Sequence, residues 1–141
     1  MNRKTILCAI DFSEASLPTL KWALRLAQLM QAHVTVMFCY RLITSGDDEE
    51  TSDLKRRMES EAVKKFNEIE KKLMKSSIAA YQFVTEVGFF SYRIETFIRN
   101  NQVNLLVMEN SIIQNFDEYK NLSFEVFLKN SKVPVLIVPP Q

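Results

Sequence analysis

The chain has 141 residues, 47% hydrophobic and 25% charged, with 18 Lys and Arg against 17 Asp and Glu for a net charge of +1. With the signs interspersed, that balance gives no electrostatic footprint for nucleic acid or an anionic membrane surface. No apolar run approaches the ~20 residues needed to cross a bilayer, so a single globular domain over 1–141 is expected.

Lys4 to Ile10 reads as the first strand, because Ile6, Leu7, Cys8, Ala9 and Ile10 offer no polar face and suit a strand covered on both sides. The run stops at Asp11, a carboxylate at the strand's carboxyl end, where open α/β sheets hold their ligands. Residues 17–31 then repeat apolar positions at three and four, with Leu20, Ala23, Leu24, Ala27 and Met30 inward, Trp22 and Leu26 widening the stripe, and Ser16 as the expected N-cap. Val34 to Tyr40 is a second strand. An acidic loop, Thr44 to Ser52, leads into a long helix expected over Asp53 to Lys75, lined by Leu54, Met58, Ala62, Phe66, Ile69 and Leu73.

Ile78 to Val87 is the third strand, closed by Gly88, and Ser91 is the expected cap of a short helix burying Ile94, Phe97 and Ile98. Val103 to Met108 is a fourth, wholly apolar strand. A polar connection over 109–118 follows, then a helix from about Tyr119 to Ser131 with Leu122, Val126 and Phe127 inward, and a last strand, Val133 to Val138, stopped by Pro139 and Pro140. Strictly alternating strands and helices imply right-handed crossovers, a parallel sheet and helices on both faces. Cys8 and Cys39 both fall in apolar runs, which favours buried reduced thiols over a disulfide. With no signal pattern behind Arg3 and Lys4, a cytoplasmic location is expected.

Ile6-Leu7-Cys8-Ala9-Ile10-Asp11-Phe12-Ser13, Glu86-Val87-Gly88, Leu105-Leu106-Val107-Met108 and the closing Ser131-Lys132-Val133-Pro134-Val135-Leu136-Ile137-Val138, in this order and spacing, resemble the universal stress protein family over essentially the whole chain. The resemblance implies an adenine-nucleotide alpha-hydrolase-like, doubly wound sheet of five strands in the order 3-2-1-4-5 with four helices. It also implies a pairing of last strands into a homodimer, and in many members ATP bound on a Gly-x-x-Gly, nine-residue, Gly-Ser or Gly-Thr motif after the fourth strand.

The motif glycines are missing here. Glu109 and Ile112 stand where the first two belong, and Asn121 or Leu122 where the third does. Glycines in such a loop let backbone N–H groups close on phosphate, and side chains with an added negative charge work against that. No nucleotide is therefore expected. If one bound, Asp11, Asn110, Ser111 and Ser123 would be the residues to hold it, although an acid at a strand end also simply caps the next helix.

The acids Asp11, Asp47 to Glu50, Glu86 and Glu109 all follow strand carboxyl ends and are expected along one edge, which opens a weaker reading as a metal or small-ligand sensor. No spacing specific for metal ligation recurs, and none is assigned. His33, the only histidine, is expected at the surface or locally hydrogen-bonded. Ser13 and Ser16 lack a nucleophile elbow, so no catalytic residue is expected. Phe89, Phe90 and Phe116 are core packing in the simpler reading and a pocket or partner surface in the other.

The resemblance, taken with the missing glycines, implies a dimeric, non-enzymatic stress-response or interaction module. The alternative is an ATP-binding switch or weak ATPase with a rebuilt phosphate loop. Val133, Val135, Leu136, Ile137 and Val138 would form the dimer edge, since an unbroken apolar edge strand invites pairing unless another chain covers it.

Overall fold

The computed structural model describes residues 4–75, 77–114, 116 and 123–140. Five parallel strands, β1 (Lys4–Ile10), β2 (Ala32–Tyr40), β3 (Tyr81–Val87), β4 (Leu105–Glu109) and β5 (Val135–Val138), lie in the order β3-β2-β1-β4-β5. The expected order is the observed one, with β1 in the middle: Cys8 stands opposite Val36 on one side and Val107 on the other.

Central placement explains the unbroken apolar run, because both faces of β1 need cover. Ile6 through Ile10 are all 0% exposed. Ile6, Cys8 and Ile10 belong to one core with Leu20, Ala23, Leu24, Ala27 and Phe66, beneath α1 (Ser16–Met30) and α2 (Asp48–Ile69). Leu7 and Ala9 belong to the other, with Ile94, Met108, Ile112 and Phe127, beneath α3 (Phe90–Asn100), the short α4 (Asn110–Gln114) and α5 (Phe124–Asn130). The two cysteines sit in opposite cores as free thiols, and burial pushes the Cys8 thiol well above its ordinary range.

Several helix ends differ from the sequence reading. The residue capping α1 is Ala15. Ser16 lies inside the helix with its Oγ buried and unpartnered, while the Thr19 hydroxyl donates to the Ala15 carbonyl at 2.7 Å. Trp22 does not widen the buried stripe; it is 44% exposed. α2 starts at Asp48, five residues before the expected Asp53, because Asp47 caps it by accepting the Glu49 N–H at 3.0 Å and Asp48, Glu49 and Glu50 complement the dipole of its first turn.

A π-helical turn over Glu70–Met74 extends α2 and brings Met74 fully into the core. The residue capping α3 is Phe89, with Ser91 buried in its first turn. The 109–118 connection holds α4. α5 begins at Phe124, and the part of its expectation that rests on 119–122, Leu122 included, falls outside the described residues. Val126 faces solvent at 40% exposure, leaving Phe127 as the inward anchor.

α2 is tied to the sheet by stacking of Phe66 on Phe83, ring centroids 4.4 Å apart, and by two tyrosines. Tyr40 donates to Glu59 Oε1 at 3.1 Å and Tyr81 to Glu70 Oε2 at 2.6 Å. Burial, the hydrogen bond to Glu59 and that carboxylate's charge push the Tyr40 phenol from 10.0 up to about 12. For Tyr81 the bond to Glu70 is the leading cause of a rise, with burial second. A phenol raised in the folded state favours folding fully below its unfolded pKa and loses that contribution as pH climbs to the folded value. Stability is therefore expected to fall between about pH 10 and pH 12, and Tyr40→Phe to flatten that decline in a melting-temperature series. An unchanged alkaline slope in the variant would show that Tyr40 does not cause it.

Candidate functional site

Parallel pairing puts the carboxyl ends of β1 and β4 side by side, and there the chain leaves the sheet in two different ways. After β1, Asp11 and Phe12 turn the chain toward α1. Phe12 takes a left-handed φ of +61°, unusual for a residue with a Cβ, and its ring rests against Phe38 at a centroid distance of 4.8 Å. After β4, the chain turns directly into α4 at Asn110.

Glu109, the last residue of β4, is only 1% exposed. Its carboxylate accepts two backbone N–H bonds from the start of α4, Oε2 from Ser111 at 2.7 Å and Oε1 from Ile112 at 2.9 Å. Both carboxylate oxygens are thus engaged, and the charge-assisted bonds satisfy donors that a helix start leaves orphaned. Across the gap, Asp11 Oδ2 accepts the Ser111 hydroxyl at 3.2 Å, while its Oδ1 accepts the Ser13 N–H at 2.9 Å. Ser111 therefore joins β1 to β4, its amide held by Glu109 and its hydroxyl by Asp11.

Of the residues singled out from sequence, the fold brings together Asp11 and Ser111, with the half-buried Asn110 beside them in the chain. Ser123 has other work as the N-cap of α5, its Oγ accepting the Val126 N–H at 3.3 Å. Glu109 is the residue the sequence reading undervalued. In the sequence it reads as an added like charge beside phosphate, yet in the fold it plugs the N–H groups of α4 from within the chain. The signal in the sequence is slight: an acid at a strand end with a helix starting at the next residue.

Two of the remaining acids have local roles. Asp47 caps α2 and Glu50 accepts the Ser45 hydroxyl. Among the described residues, no three His, Cys, Asp or Glu side chains come together in a way that would hold a metal ion. His33 is hydrogen-bonded across the β1–β2 pairing, Nε2 lying 3.1 Å from the Thr5 hydroxyl, while its Nδ1 is buried without a partner among the described residues. Phe116 packs against Phe124 and Phe127 at centroid distances of 5.3 and 5.7 Å, whereas Phe89 lies 4.0 Å beneath the Arg41 guanidinium. Surface cavities of about 310 to 480 Å³ lie against α1, α2 and α3, lined by residues other than Asp11, Glu109, Asn110 and Ser111.

Residues 2–139 match the sequence profile of the Universal stress protein family. No curated protein matches the chain. Among similar solved structures, the universal stress protein UspA from Lactobacillus plantarum has a TM-score of 0.73 at 16% identity, over 98% of this chain and 99% of that one. A protein of the same family from Burkholderia pseudomallei has a TM-score of 0.67 at 22% identity, over 96% of each chain. A universal stress protein in complex with cAMP has a TM-score of 0.68 at 14% identity, over 99% and 98%. At these identities the likeness is one of fold.

Proposed function

The chain belongs to the universal stress protein family, and from that premise we propose that it is a member that does not bind nucleotide, a dimeric and non-enzymatic module of the stress response that works by protein interaction. One observation carries the first part: the Glu109 carboxylate, 1% exposed, already occupies the Ser111 and Ile112 N–H groups beside the carboxyl end of β1. A phosphate placed there would meet two acids, Glu109 and Asp11, and no free donor from those two amides. Coulomb repulsion between anions in a partly desolvated site is far stronger than in bulk water.

The fold itself admits a nucleotide, since one structural neighbour is described as a complex with cAMP. The difference lies in this chain's residues at 109–112. Isothermal titration with Mg-ATP, and separately with cAMP, is expected to give no saturable heat; micromolar binding of either would replace this reading with that of a nucleotide-dependent switch. A divalent cation that raised the melting temperature saturably would favour a metal sensor at the acidic rim instead.

The dimer rests on β5. It is an edge strand with residues Val135, Leu136, Ile137 and Val138, preceded by Val133, and only Val138 among the strand residues is fully buried. Pairing across a twofold axis would cover its open backbone groups and apolar side chains together. Light scattering is expected to give twice the 16.4 kDa chain mass, and a monomer at micromolar concentration would contradict the pairing.

A further inference from the structure

The helix α1 carries a second apolar stripe that its own fold leaves uncovered. Leu20, Ala23, Leu24 and Ala27 face the core, but Pro18, Trp22, Leu26 and Leu29 follow one another at spacings of four, four and three on another side of the same helix. Leu26 straddles the margin of the core, while Trp22 is 44% and Leu29 82% exposed. A helix exposing a large aromatic ring and a leucine in one line has the pattern of a helix-in-groove partner surface.

Charge sharpens this. Lys21 and Arg25, one turn apart and both exposed, flank the stripe, and neither is ion-paired among the described residues. The Arg25 guanidinium carbon lies 5.8 Å from the centroid of the Trp22 ring. A cavity of about 390 Å³ opens at this place, lined by Glu14, Leu17, Pro18, Lys21, Trp22 and Arg25. Tryptophan and arginine are the side chains that most often dominate protein–protein binding energy.

We propose that this face of α1 docks an amphipathic helix of another protein that carries acidic residues beside its apolar stripe. The proposal rests on the reading of the chain as an interaction module and gives that module's partner its chemistry. A second copy of the chain is a poorer occupant, because each copy brings two cations, Lys21 and Arg25, and only one acid, Glu14, to this face, so that pairing α1 with itself leaves positive charge in excess. An anionic membrane is a poor one as well. Two cations contribute only ~1 kcal/mol each near such a surface, and a chain of net charge +1 supplies no polybasic second signal.

Trp22 is the only tryptophan, so its emission reports on this face alone. The probe is a synthetic amphipathic helical peptide with leucines at helical spacing flanked by glutamates, compared with a counterpart carrying glutamine in place of every glutamate. The acidic peptide is expected to shift Trp22 emission saturably to the blue. The glutamine peptide, and the Lys21→Glu/Arg25→Glu double variant with the acidic peptide, are each expected to bind at least ~10-fold more weakly. Both substitutions lie at exposed positions, so the variant keeps the fold and the reporter. No saturable shift with the acidic peptide, equal affinity for the two peptides, or a shift of the same size on phosphatidylserine vesicles would each overturn the proposal. None of these outcomes bears on nucleotide calorimetry, which tests the parent reading separately.

Discussion

Glu109→Ala is expected to destabilise the fold by about 2–4 kcal/mol. The cost has two sources. The Ser111 and Ile112 N–H groups lose their acceptor at a buried position, and each unsatisfied donor costs roughly 1–3 kcal/mol. The side chain that filled the space between β4 and α4 is also lost, and the surroundings relax only in part.

Glu109→Gln should fall between the two. Its amide oxygen can accept from one of the N–H groups, but its NH₂ then faces the other, donor against donor. Urea denaturation of the three proteins is expected to rank them wild type, then Gln, then Ala. An Ala variant within ~0.5 kcal/mol of wild type would mean that the carboxylate holds nothing of importance.

The second large effect concerns assembly. Ile137→Lys is expected to weaken the proposed β5 pairing at least ~100-fold, about 2.7 kcal/mol in association free energy. A lysine on an edge strand would have to carry its ammonium into an apolar seam, the same device by which natural edge strands avoid pairing. Ile137 is only half-buried within one chain, so much of the fold's own stability should survive. On the proposed pairing, sedimentation at several concentrations is expected to give a dimer for wild type and a monomer for the variant. A variant that dimerised as tightly as wild type would place the interface elsewhere.

The architecture was legible because its signals were redundant. Ile6 to Ile10 could be read as a strand covered on both faces from five apolar residues alone, and the alternation of strands with helical patterns gave a parallel sheet; the strand order 3-2-1-4-5 came from the family resemblance. Helix starts were harder, since the capping competition is local and crowded. Asp47 caps α2 ahead of the expected start at Asp53, and Ser16 and Ser91 were drawn inside their helices rather than left as caps.

Trp22 misled because helical spacing assigns a residue to a stripe without saying whether anything covers that stripe. At the candidate site, the loss of glycines was visible in the sequence. What filled the space was not, because a carboxylate's value depends on whether it meets donors or other acids. In one dimension Glu109 looks repulsive; in the fold it is the acceptor that two amides require. Ser111 gained its link to Asp11 only through the β1–β4 pairing, a contact across 100 positions of the chain.

The most direct measurement follows the Ser111 and Ile112 amide resonances of the 141-residue chain by NMR while Mg-ATP is added to millimolar concentration. With Glu109 holding both N–H groups, the two signals are expected to stay where they are, shifted downfield by their carboxylate partner and slow to exchange with solvent. If both instead move together along a saturable curve, those amides are available to phosphate, and the account of a family member closed by its own side chain is wrong.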